Sequence, residues 1–320
     1  MRALVTGASG FVGQYLVRHL LDAGDEVIAC HNTTEVTDKT PLLISHPENK
    51  FVSKHAQWQP IDIGNSASVR EVFAQVRPEV IYHLAGIAFV PEAEENFERA
   101  LAINVGGTQA IYQACAQLSL DATILLVSSA EVYGRILPQE LPVSETVALR
   151  PSNNYSLTKV MAEFVATRYS HIHSVIARPF NHIGPGQNER FVAPNFARQL
   201  AEISRGEAKP VMRVGNLDSL RDFTDVRDIV RAYRLAAVKG KGIYNLGSGR
   251  AVSVETVLKT LIEVSGLNVT LESDPYRMRA SEVPEVRADI TKALRDLSWK
   301  PELGLRETLD AVYAHALERH

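Results

Sequence analysis

Thr6-Gly7-Ala8-Ser9-Gly10-Phe11-Val12-Gly13 is the stretch whose reading decides the fold. Ahead of it stands a short apolar run, Ala3-Leu4-Val5, and behind it Leu16, Val17, Leu20 and Leu21 recur at helical spacing. A glycine-rich turn between a strand and a helix gives each glycine its own task. Gly7 makes the tight turn, Gly10 lets backbone approach a pyrophosphate, and Gly13 lets the helix pack close, while the helix N-terminus offers unpaired amides to the anion. Glycines at this spacing are a weak signal alone. The strand on one side and the amphipathic helix on the other are the context that turns them into a dinucleotide-binding expectation, with Phe11 and Val12 beside the phosphates. A glycine turn without a ligand is the plain alternative.

Outward from that loop, β-rich runs alternate with amphipathic ones. Val27 to Cys30 is followed by Val69 to Val76 and Val80 to Leu84, then a long helix near 97–118 and a buried strand Thr123 to Val127. A helix from about Asn154 to Tyr169 and a strand Ser174 to Ala177 complete the pattern. This alternation predicts an α/β fold with a doubly wound parallel Rossmann sheet. After Pro179 the texture changes to a turn-rich segment and less regular elements, predicting a second, smaller α/β lobe for the substrate. The expected division is 1–180 with about 222–248 for the dinucleotide part, and 181–221 with about 249–320 for the other. Ligands in such folds bind in the crevice between the two.

Composition narrows the function. The chain has 320 residues and a formal charge of −3, with no block of Lys and Arg able to track a phosphate backbone, so nucleic acid is not an expected partner. No apolar run approaches the roughly 20 residues of a membrane helix and no signal-like segment precedes Ala3, so the expectation is a cytoplasmic protein without a membrane partner. Cys30 and Cys115 fall in a predicted strand and a predicted helix and are expected as reduced core residues. No metal site is expected.

Tyr155-Ser156-Leu157-Thr158-Lys159 places a phenol and an ammonium four residues apart on one helix face. A phenol with pKa near 10 is a poor acid–base group at neutral pH, and positive charge beside it favours phenolate. Ser128-Ser129-Ala130-Glu131-Val132-Tyr133-Gly134 leaves the carboxyl end of the fifth strand, where Ser129 can bond an oxygen whose charge changes in hydride transfer. Read alone, both serines simply cap the strand exit. The second strand ends at Ala29-Cys30-His31-Asn32 with no acid for the ribose hydroxyls of NAD, and no base follows until Lys39. That leans towards NADP(H) with NAD(H) open. Asp25 and Glu26 precede the strand and read as groups that cap and solvate its turn. Asp62, in Ile61-Asp62-Ile63, suits either the adenine or a cap for the helix starting near Ser66.

In this order and spacing, the glycine loop, Ser129 and the Tyr155/Lys159 pair resemble the extended short-chain dehydrogenase/reductase family, from Arg2 to about Pro301. The resemblance implies that Tyr155 gives or takes the proton, that Lys159 holds the nicotinamide ribose and lowers the phenol's pKa, and that Ser129 polarises the substrate oxygen. Further cofactor contacts are expected at His31, Asp62, Ile63, Leu84, Ala85, Gly86, Asn104 and Arg178. A homodimer through the helices near 97–118 and 154–169 is implied as well. Arg178 through Gln187 resembles the segment that turns towards the sugar, with Asn181 on sugar or phosphate and Val90 and Val192 lining the same site. Val214 through Asp228 resembles the part that holds the nucleotide in GDP-mannose-processing members, with Asn216 and with Arg221 on the diphosphate; an ion pair with Asp222 or Asp225 is the plain alternative for Arg221. Arg279-Ala280-Ser281-Glu282 resembles a second clamp, Arg279 on phosphate and Glu282 on hydroxyls or base.

Three reactions share such a site: 4,6-dehydration, 4-epimerisation and 4-keto reduction. His83 to Gly86, Phe89 to Ala93 and Arg178 to Gln187 are most similar to the subgroup that reduces GDP-4-keto-6-deoxy-D-mannose to GDP-D-rhamnose. Phe11-Val12 stands where GDP-mannose dehydratases usually carry Gln-Asp, and Ala130 stands where glucose-type dehydratases carry an Asp, although Glu131 keeps the second acid. The expectation is therefore a reductase of a GDP-sugar, with dehydratase or epimerase as the alternative. A non-catalytic dinucleotide-binding module is more remote, because it has no need of Ser129, Tyr155 and Lys159 together.

Overall fold

The computed structural model describes residues 1–32, 46–274 and 284–318. Arg279 and Glu282 lie outside the described residues, as does Lys39. The predicted strands form β1 (Arg2–Thr6), β2 (Glu26–His31), β3 (Gln57–Pro60), β4 (Val80–His83), β5 (Thr123–Val127) and β6 (Ser174–Pro179). With strand Gly242–Leu246 they build one seven-stranded parallel sheet, in the order Gly242–Leu246, β6, β5, β4, β1, β2, β3. Chain order reverses between β1 and β4. In such sheets the crevice at that reversal, beyond the carboxyl ends, takes the ligand.

Strand alternation distributes the core between two faces. Leu4, Ile28, Ile81, Ile124 and Leu126 pack with Phe73, Ile111 and Tyr112 of helices Ser66–Val76 and Gly107–Gln117. Ala3, Val5, Val27, Ala29, Tyr82 and Leu125 pack on the other side with Leu16, Leu20, Ile229 and Tyr233 of helices Phe11–Asp22 and Val226–Lys239. This is the Rossmann arrangement that the alternation predicts. Cys30 and Cys115 are buried and free. Among the described residues no helix is long and apolar enough to cross a membrane.

A separate core joins Ile183, Phe196, Leu200, Met212, Leu258, Leu261 and Leu309. Above it strand Leu220–Asp225 pairs with Asn181–Ile183, Ala251–Ser253 and Glu285–Val286, while Val211–Val214 pairs with Thr270–Ser273. Two details depart from the expected division. Strand Leu220–Asp225 belongs wholly to the smaller sheet, so the chain returns to the large sheet at helix Val226–Lys239 rather than near 222. Ala293, Leu297 and Trp299 pack in the core of the large sheet, with the indole of Trp299 donating to Asp228 O at 3.0 Å. Burying the largest side chain in the chain outweighs proximity in sequence.

The predicted helix 97–118 is divided. Phe97–Ala100 is α-helical, Leu101–Gly106 is a π-helix and Gly107–Gln117 resumes the α form. Single π turns of this kind concentrate at functional sites. Asn65, not Asp62, caps helix Ser66–Val76, accepting from the amides of Ala67 and Ser68. Asp25 is no mere turn residue either. Its buried carboxylate accepts from the N-terminal ammonium at 3.0 Å and from Arg234 at 2.8 Å, tying β2 to helix Val226–Lys239.

Candidate active site

The glycine loop leaves β1 at the crevice. Gly7 sits at φ +70°, and a Cβ there would stand 2.8 Å from the amide nitrogen of Ala85, so only glycine lets β1 and β4 release their loops side by side. A Cβ on Gly13 would stand 2.2 Å from the carbonyl oxygen of Gly7. The third glycine therefore closes the loop upon itself as well as seating the helix. No side chain caps helix Phe11–Asp22 at Gly10, and its first turn carries no acid. Its leading amides and the positive end of its dipole suit a pyrophosphate.

Helix Asn154–Arg168 opens with Asn153 as a cap in a reciprocal box with Ser156, which fixes where its first turn points. Tyr155 and Lys159 are buried on its first two turns, beside the end of β5. The Lys159 ammonium donates to the carbonyl of Val127 at 2.8 Å and lies 5.9 Å from the Tyr155 ring centroid. Burial pushes the Tyr155 phenol up to about 12, a hydrogen bond with Ser129 pulls against it, and the charge of Glu131 adds to the rise. Burial brings Lys159 down to about 8, with Glu163 resisting. The lowered phenol pKa expected from Lys159 is thus not found: desolvation outweighs a cation already turned to a carbonyl. Ser129 takes the capping role. Its Oγ accepts from the Glu131 amide at 3.1 Å, capping the turn Ala130–Tyr133, and it reaches the phenol. The other serine, Ser128, donates to Glu163.

Arg178 calls for a correction. It is 3 % exposed and forms a two-pronged ion pair with Glu163, with bonds at 2.9 and 2.6 Å. A further arm donates to the Tyr133 hydroxyl at 2.9 Å, which itself donates to Asn245. Its fork is spent beneath the site, so geometry makes it a strut between β6 and helix Asn154–Arg168 rather than a cofactor contact. Asn104 is likewise spent inside the protein. Its amide donates to Ile87 O and to Thr158 Oγ1, and its oxygen accepts from the Ile87 amide at 2.8 Å. It braces the loop after β4, where Leu84 and Ala85 are half-buried and Gly86 is exposed. A Cβ on Gly86 would meet the Asn104 oxygen at 2.9 Å.

At the other end of the crevice, His31 closes β2, buried, with its ring near Trp58. Asp62 is half-buried and accepts from the Gly64 amide at 2.9 Å, while Ile63 beside it is buried. On the substrate side Glu131 accepts from the Asn153 amide at 3.4 Å, and its charge acts on both Tyr155 and Arg221. Arg221 donates to Leu220 O at 2.8 Å, and burial lowers its pKa. The ion pairs open to it with Asp222 or Asp225 are not made: Asp222 accepts from Ser248, Gly249 and Ala288, and Asp225 pairs with Arg227 and Thr308. Asn181 is exposed, Val90 and Val192 are half-buried at the starts of their helices, and Asn216 accepts from the Asp218 amide. Among the described residues no group of His, Cys, Asp and Glu is arranged to hold a metal ion.

Four polar residues here have no role legible in the sequence: Thr6, His83, Thr108 and Thr158. Thr6 and His83 are paired at the last positions of β1 and β4. Only the pairing of the strands makes that visible.

The family described as GDP-mannose 4,6 dehydratase matches residues 4–312. GDP-6-deoxy-D-mannose reductase of Pseudomonas aeruginosa is 31 % identical over 97 % of this chain and 95 % of its own. GDP-mannose 4,6-dehydratase of Vibrio cholerae is 26 % identical over 99 % of this chain and 94 % of its own. A solved structure described as RMD from Pseudomonas aeruginosa complexed with NADPH superposes with a TM-score of 0.84 at 29 % identity, covering 100 % of this chain and 99 % of that one. With a glycine loop at the sheet's switch point and a Ser, Tyr and Lys gathered at the ends of its strands, the chain belongs to the GDP-mannose 4,6-dehydratase family of nicotinamide-dependent nucleotide-sugar enzymes, within the extended short-chain dehydrogenases/reductases.

Proposed function

We propose that the chain reduces the 4-keto group of GDP-4-keto-6-deoxy-D-mannose to GDP-D-rhamnose. The observation that carries this reading is the Ser129, Tyr155 and Lys159 set gathered at the end of β5, in a chain 31 % identical to GDP-6-deoxy-D-mannose reductase of Pseudomonas aeruginosa. A ketone reduction must end by giving a proton to the oxygen that becomes an alkoxide, and a phenol that keeps its proton at neutral pH is ready to do so. Epimerases and dehydratases begin by oxidising an alcohol, which asks the same residue to start as a base. NAD(P)H supplies the hydride when bound. Ser129 bonds the same oxygen and shares its developing charge, and Lys159 adds a positive charge while holding the ribose. Arg221 and Arg279 are the proposed diphosphate clamps, Asn181, Asn216 and Glu282 the polar contacts, and Val90 and Val192 the apolar walls. Similarity to the Pseudomonas reductase supports the sugar and the nucleotide. The absence of an acid at the end of β2 supports NADP(H) ahead of NAD(H).

Glu131 favours a second reading, elimination from a GDP-hexose, because it is an acid close enough to act on the phenol. One assay separates the two. On the reductase reading, GDP-4-keto-6-deoxymannose drives stoichiometric oxidation of NADPH or NADH. Protein that keeps bound NAD(P)⁺ and converts GDP-mannose without net cofactor consumption overturns that reading in favour of dehydratase or epimerase. Absence of any turnover leaves a dinucleotide-binding module.

A further inference from the structure

Two runs of hydrogen bonds that meet at Asn104 cross the switch point of the sheet. The Ala85 amide donates to Thr6 Oγ1 at 3.2 Å, and Thr6 Oγ1 lies 2.9 Å from His83 Nδ1. His83 Nε2 lies 3.1 Å from Thr108 Oγ1, whose hydroxyl donates to the Asn104 carbonyl at 2.7 Å. The Asn104 amide donates to Thr158 Oγ1 at 2.9 Å, and Thr158 donates to the Tyr155 carbonyl at 2.7 Å. Thr6, His83, Asn104, Thr108 and Thr158 are each no more than 3 % exposed.

The chain itself assigns the imidazole's proton. Thr108 has one hydroxyl hydrogen, committed to Asn104, so it can only accept from His83, and Nε2 must carry the hydrogen. Nδ1 is then bare and accepts from Thr6, whose oxygen is left to receive the Ala85 amide. The donors point one way from Ala85 to the Asn104 carbonyl, so those bonds polarise one another, and the Asn104 side chain opens a second run to Thr158 and the Tyr155 carbonyl. Burial, reinforced by the charge of Lys159, pushes the imidazole down to about 3, keeping it neutral at working pH.

We propose that His83 is a positioning residue that joins the seat of the dinucleotide, through Thr6 and Ala85, to the π turn and helix that carry Tyr155 and Lys159. The ring touches no reacting group. It ties the ends of β1 and β4 to the π turn, beside the direct bonds that Ile87 makes with Asn104. A sub-ångström drift between hydride donor and proton donor is costly in rate, and a stiff buried link suppresses it. The turnover arm of this inference rests on the proposed reductase reading, whereas its binding arm does not.

The test is a double-mutant cycle on Thr6→Val and Thr108→Val, whose side chains bond the two ring nitrogens of His83, read in the wild-type and His83→Phe backgrounds. NADPH affinity is measured by fluorescence titration and kcat with GDP-4-keto-6-deoxymannose, at a temperature where melting curves show every variant folded. Transmission through His83 predicts that each single valine weakens NADPH binding and lowers kcat by about tenfold, and that the double variant is little worse than either. In the His83→Phe background the coupling between the two substitutions should vanish, each keeping only the effect of its own bond to Ala85 or to Asn104. Losses that simply multiply, or melting temperatures that fall while kcat and NADPH affinity of the folded protein stay at wild-type values, overturn the proposal and leave His83 as packing. Should the wild-type protein not reduce the keto-sugar, the NADPH titrations alone decide the matter, so failure of the reductase reading remains distinguishable.

Discussion

Tyr155 and Lys159 share a helix face and respond oppositely to burial. The phenol is driven towards its protonated form and the ammonium towards its neutral one. Tyr155→Phe removes the proton donor and nothing else that touches the dinucleotide loop. Turnover should fall by about 10² to 10⁴, the usual worth of a placed acid, while NADPH affinity measured by titration stays within about twofold. Near wild-type turnover would remove Tyr155 from the mechanism. For Lys159 the sign follows from its pKa. Below about pH 8 the ammonium is charged and available to the ribose and the alkoxide; as pH rises through about 8 it becomes neutral. kcat/KM for the keto-sugar should therefore decline on the alkaline side with a midpoint near 8, and a profile flat to pH 9 would contradict that role.

Among elements, helix Asn154–Arg168 carries the chemistry on its first two turns and a strut on its third. Glu163 accepts from both Arg178 and Ser128, so β5, β6 and the helix are locked behind the site. Glu163→Gln leaves the Arg178 guanidinium buried without its counter-charge, a change that commonly costs about 3 to 5 kcal/mol. Urea unfolding should register that loss in the midpoint. If Arg178 served the cofactor instead, the variant would keep its stability and lose NADPH affinity. The division of the helix expected at 97–118 belongs to this scale too. Its apolar spacing reads as continuous helix, and the π turn arises where Asn104 must reach both Ile87 and Thr158, partners 17 and 54 positions away.

For the whole molecule, the same helix turns an apolar row outward. Leu157, Met161 and Phe164 recur at i, i+4 and i+7 and are 38, 37 and 62 % exposed. A row of large apolar side chains on a catalytic helix is what a homodimer through this helix and its neighbour would cover. Light scattering of the wild-type chain should give a dimer, and Phe164→Glu should shift it to monomer by placing a charge in the seam. A monomeric wild type would set aside the dimer that the family resemblance implies.

The sequence by itself determined the central sheet, and it named the dinucleotide loop and the Ser129, Tyr155 and Lys159 set as candidates, because strand texture, glycine spacing and an i, i+4 pair on one helix are local patterns. It also identified the cysteines as buried core. What it left undecided depends on which distant segments meet. Arg178 reads as a ligand contact until Glu163 is seen against it, and Asp25 as a turn residue until Arg234 reaches it from 209 positions away. Asp62 reads as a cap for the helix near Ser66 until Asn65 is seen accepting from that helix's first amides. The phenol's raised pKa and the link through His83 come from burial and from the pairing of β1 with β4. Desolvation and long-range hydrogen bonding are properties of the assembled core, and tertiary structure alone decides them.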